Sequence, residues 1–173
     1  MESKKIKMSQ DADDLKETLN DVDDGDSSLN TLTEEDIQKL ISSSKEAMKY
    51  AYCEYSNFRV GAALLAEDGS IFTGCNIENV SYSLTTCAER TAIFKAVSEG
   101  HRKFKAIAIS SEVKDSFTYP CGACRQVMIE FGQYDVYVSR PDSAWQHTTT
   151  QELIPHFFSK KALRSVQKAK IQN

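Results

Sequence analysis

Arg59-Val60-Gly61-Ala62-Ala63-Leu64-Leu65-Ala66, then Glu67-Asp68-Gly69-Ser70, then Ile71-Phe72-Thr73-Gly74-Cys75-Asn76-Ile77, is the stretch on which the fold turns. The first run is almost wholly apolar and short, as in a buried strand. Asp-Gly between two such runs marks a tight hairpin, so 59–66 and 71–77 are expected to pair. Upstream, Thr33 precedes Glu34, Glu35 and Asp36, a capping side chain followed by acids at the positive end of the helix dipole. Ile37, Leu40, Ile41, Met48 and Ala51 recur at helical spacing, predicting an amphipathic helix to about Ala51. Downstream, helical patterning runs from Cys87 to Glu99 and closes at Gly100. Phe104 to Ser111 reads as a third strand, Cys121 to Phe131 as a third helix closed by Gly132, and Asp135 to Ser139 as a fourth strand. Pro141-Asp142 is a turn, and Trp145 to Thr150 a weaker fifth strand. The order α-β-β-α-β-α-β-β predicts an α/β fold: a three-layer α-β-α sandwich around a five-stranded mixed sheet, its later strands parallel through right-handed crossovers.

The chain has 173 residues, enough for one domain. Apolar residues make up 40 %, which supports a real core and excludes a fully disordered or fibrous protein. No apolar run approaches the roughly 20 residues that span a bilayer. The opening MESKKIKMSQDADDL has no apolar core of a secretory signal, so a cytoplasmic location is expected. The net charge of -4 argues against a broad nucleic-acid footprint and is unevenly spread. Residues 1–30 hold nine acids against four lysines, so the remainder carries +1. Residues 1–31, with few apolar side chains, read as an acidic disordered tail, and 32–173 as the domain.

Five cysteines, an odd number in a chain with no recognisable secretion signal, favour metal or thiol chemistry over a disulfide framework. Cys121 and Cys124 form a C-x-x-C opening a predicted helix after Pro120, where free N–H groups and the dipole favour thiolates. Cys87 opens another predicted helix, and the strand at 104–111 brings both N-termini to one end of the sheet. Three converging thiolates fit one Zn2+ with a fourth position open to water. Cys53, Cys75, His101, His147 and His156 are the other candidates for a closed, structural site, but none has ligand-like spacing to these three. Glu89 has two readings. Thr86-Cys87-Ala88-Glu89 fits the capping box S/T-x-x-E, whereas a carboxylate two residues beyond one ligand, with Pro-Cys-x-x-Cys downstream, is the signature of zinc nucleobase deaminases with cysteine replacing the usual histidine.

Cys87-Ala88-Glu89-Arg90 and Pro120-Cys121-Gly122-Ala123-Cys124-Arg125-Gln126 together closely resemble the small zinc-dependent cytidine deaminases. So do Phe58 with Val60-Gly61-Ala62-Ala63, and Gly74-Cys75-Asn76-Ile77-Glu78-Asn79. The resemblance runs from about Leu40 to Phe158. It implies Cys87, Cys121 and Cys124 as zinc ligands, one zinc per chain, Glu89 as proton shuttle, and Arg90 as the arginine hydrogen-bonded to zinc thiolates. It also implies Asn76 and Glu78 as partners of the ribose hydroxyls, Phe58 as the aromatic on the pyrimidine, and the Ala88 backbone as the reader of the base's polar edge. Tyr55 and Tyr82 match tyrosines lining the site. Phe158 matches a late aromatic, and in the family some of these residues come from neighbouring subunits of a homotetramer. Two positions depart from the pattern: Arg59 and Ser83 stand where the family usually has proline.

The chemistry suits the residue types. Replacing the 4-amino group of cytidine needs a nucleophile at C4, a proton at N3 and another on the departing ammonia, which one mobile carboxylate can carry. With no glycine-rich phosphate loop and an acid at position 78, a nucleoside is favoured over a nucleotide. The expected function is deamination of cytidine and deoxycytidine in pyrimidine salvage. The alternatives are a deaminase of another cytosine nucleoside, such as a nucleoside antibiotic, and a catalytically silent zinc-stabilised subunit. A nucleic-acid-editing enzyme is disfavoured, because the histidine ligand and a basic, aromatic-lined channel are both lacking.

Overall fold

The computed structural model describes residues 32–162. The expected acidic tail, 1–31, lies outside the described residues, and the fold is that of the compact unit Thr31–Phe157. Its elements are α1 (Glu34–Met48), β1 (Val60–Ala66), β2 (Ile71–Cys75), α2 (Ala88–Ser98), β3 (Phe104–Ser111), α3 (Gly122–Ile129), β4 (Asp135–Ser139), β5 (Trp145–Thr149) and a short α4 (Thr150–Leu153). A 3-10 turn occupies Tyr82–Leu84.

The sheet runs β2-β1-β3-β4-β5. β1 and β2 pair antiparallel around the Asp68-Gly69 turn, where Gly69 takes φ +92. β1 is also antiparallel to β3, and β3 is parallel to β4. The expectation that the later strands run parallel holds for β3 and β4 only, because β5 is antiparallel to β4. The connection explains it: only a turn at Arg140–Ala144 separates β4 from β5, too short for a crossover. α1 stops at Met48 and α3 at Ile129, each short of its predicted end.

Alternation along the strands builds two cores. Ala62, Leu64, Ile107, Ile109, Val136 and Val138 face α2 and α3, meeting Ala92, Ile93 and Met128. Ala63, Ala106, Ala108 and Tyr137 face α1 and meet Ile37, Leu40 and Ile41. This is the expected helix-sheet-helix layering. The small residues let helices approach closely. A Cβ on Gly61 would collide with the Ser44 carbonyl and lie 2.6 Å from the Met48 nitrogen of α1. A Cβ on Gly74 would lie 2.5 Å from the Ala92 nitrogen and 2.6 Å from the Ala88 carbonyl of α2. α1 is secured by a capping box: the Thr33 hydroxyl accepts from the Asp36 N–H at 3.2 Å and the Asp36 carboxylate accepts from the Thr33 N–H at 3.2 Å.

Candidate active site

α2 follows β2 and α3 follows β3, and β2 and β3 run the same way on either side of β1. Both helices therefore start at the carboxyl end of the sheet, where open α/β sheets place their sites. Cys87 is the N-cap of α2 and Cys121 the N-cap of α3; neither makes a side-chain capping hydrogen bond. Cys124 is buried in the first turn of α3. The three sulfurs lie within 4.8 Å of one another, with Cys87 to Cys121 at 3.9 Å and Cys121 to Cys124 at 3.6 Å. Tetrahedral Zn–S bonds of about 2.3 Å would set sulfurs about 3.8 Å apart, so the donor set fits zinc. Among the described residues this is the one cluster able to hold a metal ion. His101 instead faces Asp68 at 3.5 Å, and His147 faces Asp135 at 2.8 Å.

The electrostatics are arranged around charge on sulfur. The Cys87 thiol is held down to about 5, first by its hydrogen bond with Cys124 and also by the Arg90 guanidinium, against the opposing effect of burial. Cys124, the partner in that bond and itself buried, is pushed up. Arg90 Nη2 donates to Cys87 Sγ at 3.6 Å and to the Thr85 carbonyl at 3.0 Å, so the arginine is fixed in place beside the thiolate.

Glu89 is only 4 % exposed, and burial pushes its carboxyl up, with the adjacent Cys87 charge adding to the effect. Its capping reading is overturned. Because Cys87 occupies the N-cap, Thr86 lies outside the helix and Glu89 is its second residue, out of register for a capping box. A buried carboxyl beside three thiols is left, engaging its own backbone N–H but no N-cap partner.

The segment carrying Asn76 and Glu78 meets the loop carrying Tyr55 and Phe58 through backbone pairing. Ile77 and Thr86 exchange N–H···O bonds at 2.9 and 3.0 Å, while Tyr52 donates to the Asn76 carbonyl at 3.0 Å and accepts from Glu78 at 2.8 Å. The segment 76–78 is thereby stitched to the loop beginning at Tyr52 and to the residue before Cys87. Asn76, buried, uses its amide on that loop: Nδ2 donates to the Phe58 carbonyl at 2.8 Å and Oδ1 accepts from the Val60 N–H at 2.9 Å. Glu78 accepts from the Tyr55 and Ser56 N–H groups at 2.9 and 3.2 Å and from the Ser56 hydroxyl. These contacts, the hydroxyl's first, hold its carboxyl below the ordinary glutamate range. The Ser56 hydroxyl in turn accepts from the Phe58 N–H at 3.1 Å.

Phe58 and Tyr55 are part-exposed, and Tyr55 meets Tyr82 edge-on at 5.7 Å. Ala88 is wholly buried. Phe158 is exposed and falls outside the unit Thr31–Phe157. Of the departures from the family pattern, Arg59 lies 3.9 Å from Glu112 and Ser83 sits within the 3-10 turn. Sequence reasoning missed Ser56, although Ser-x-Phe fits a hydroxyl turn to the second residue on, and gave Arg125 no role within its motif.

Residues 34–140 match the family described as the cytidine and deoxycytidylate deaminase zinc-binding region. A probable cytidine deaminase of Dictyostelium discoideum is 47 % identical over 147 residues, spanning 82 % of this chain and all of that one. A cytidine deaminase of Sporosarcina psychrophila is 54 % identical over 130 residues, 74 % of this chain and 95 % of that one. A crystal structure of cytidine deaminase from Burkholderia pseudomallei superposes with a TM-score of 0.69 at 45 % identity, covering 73 % of this chain and 100 % of that one. With this architecture, this thiol cluster and these likenesses, the chain belongs to the zinc-binding cytidine and deoxycytidylate deaminase family.

Proposed function

We propose that this protein hydrolyses the 4-amino group of cytidine and deoxycytidine, giving uridine or deoxyuridine and ammonia, as a cytoplasmic enzyme of pyrimidine salvage. The observation that carries the reading is a buried carboxyl, Glu89, at the first turn of the helix whose N-cap is one of three clustered thiols. Cys87, Cys121 and Cys124 hold the metal as thiolates. Zinc bound there supplies Lewis-acid activation of a water near neutral pH. Arg90 withdraws charge from Cys87 and offsets the surplus that three thiolates place on a divalent ion. Glu89 is the proton carrier: as a carboxylate it takes a proton from the water that attacks C4 and delivers it to ring N3, then takes the proton of the new C4 hydroxyl and delivers it to the amine, which departs as ammonia while C4 becomes a carbonyl. Phe58 offers a flat face to the pyrimidine, and the Ala88 backbone reads the base's polar edge. Asn76 and Glu78 meet the sugar hydroxyls with the valences their loop contacts leave free.

A homotetramer with shared sites completes the reading, with Tyr82 and Phe158 serving a neighbouring subunit's pocket. Its support is the run of exposed apolar side chains on one loop: Val80 is 77 % exposed, Tyr82 71 % and Leu84 66 %.

Metal analysis combined with turnover of cytidine, deoxycytidine, CMP and cytosine tests the proposal. The expected result is one zinc per chain and deamination of the two nucleosides. Turnover of CMP but not cytidine would overturn the substrate assignment.

A further inference from the structure

Arg125 follows directly on Cys124, and its guanidinium holds two backbone carbonyls, one nearby and one distant in sequence. Nε donates to the Pro120 carbonyl at 2.7 Å, and Nη1 donates to the Leu153 carbonyl at 3.0 Å. The first contact closes a ring from the residue before Cys121 to the residue after Cys124. The second reaches 28 positions along the chain, to the last residue of α4. Of the three thiols, Cys121 is the exposed one, and its side chain makes no capping bond. Beyond its sulfur contacts with Cys87 and Cys124, its placement is set by the peptide that precedes it, and the carbonyl of that peptide is the one Arg125 grips. Pro120 is fully buried, so the gripped group has a fixed platform beneath it.

We infer that Arg125 is a positioning residue for the metal centre: its two-pronged grip fixes the Pro120–Cys121 peptide and ties α4 to the zinc-binding turn, so that Cys121 stays in ligand geometry. A guanidinium presents several donors in a rigid fork and can hold two carbonyls at once, whereas an ammonium on a flexible stem is a single point charge. The grip differs from that of Arg90, which touches a sulfur itself; Arg125 acts on the ligand through its backbone. Partners that orient metal ligands without binding the metal typically contribute about 10- to 100-fold to metal retention.

The inference rests on Cys121 being a zinc ligand, as proposed above. The test loads the full chain with zinc and follows transfer of zinc to a chromogenic chelator for wild type, Arg125→Ala, Arg125→Lys and Lys45→Ala. Lys45, on α1, makes a comparable clamp that touches neither cysteine-bearing helix, donating to the Pro141 carbonyl at 3.4 Å and the Ser143 hydroxyl at 3.0 Å. Release should quicken at least about tenfold in Arg125→Ala, stay fast in Arg125→Lys, and remain at the wild-type rate in Lys45→Ala. Should Arg125→Ala fail to fold, Arg125→Lys carries the same test. Wild-type release rates in the Arg125 variants would overturn the inference, as would equal acceleration in Lys45→Ala, which would reduce the effect to general loosening. A wild type that holds no zinc would instead overturn the metal site itself.

Discussion

Glu78 directs both carboxylate oxygens at the loop carrying Phe58, which makes it a loop anchor in addition to the sugar contact proposed for it. Glu78→Gln replaces one acceptor oxygen with a donor that faces a donor, and removes the charge that strengthens the remaining hydrogen bonds to the loop. KM for cytidine should therefore rise about tenfold or more with kcat little changed, measured by initial rates. The folded carboxyl lies below its ordinary value of 4.5, so its contribution is complete above that value and fades as pH falls through the folded one. Any gap in melting temperature between wild type and Glu78→Gln should accordingly shrink as the medium turns acid. At this scale the sequence named the chemistry but not every contact. Cys87, Cys121 and Cys124 were legible because helix starts and a C-x-x-C spacing are local patterns. The two readings of Glu89 were not separable, since a one-residue shift of the N-cap decides between them. The Arg125 grip on Leu153 is non-local and leaves no trace in spacing.

Two glycines distinguish the elements that build the core from those that build the site. Gly61→Ala drives a methyl group into the backbone of α1, and Gly74→Ala drives one into the backbone of α2. Overpacking of this kind costs about 1–3 kcal/mol, so both variants should melt earlier in thermal unfolding. Their activities should diverge well below the melting temperature. Gly74→Ala displaces the helix that begins with Cys87 and carries Glu89, and should lose activity out of proportion to stability. Gly61→Ala displaces a helix that contributes nothing to the site, and should keep its turnover. The hairpin and the strands at 104–111 and 135–139 were readable because turn chemistry and short apolar runs are written locally. The antiparallel course of β5 was not, because strand direction is settled by partners distant in sequence.

For the whole molecule, the exposed loop around Tyr82 and the acidic segment 1–31 give opposite expectations. Light scattering at assay concentration should find a tetramer, and a fully active monomer would rule out shared sites. Deleting residues 1–31, which hold none of the candidate site residues named above, should leave turnover and assembly unchanged. The central claim, that a buried carboxyl moves protons beside a three-thiolate zinc, is tested most directly by measuring zinc content and cytidine turnover on one preparation of Glu89→Gln. An amide keeps the shape but cannot change protonation state, and general acid–base groups contribute factors of about 10² to 10⁴. The account predicts a folded variant that retains one zinc per chain and loses activity at or beyond the upper end of that range. Retained turnover, or zinc lost together with turnover, would contradict it.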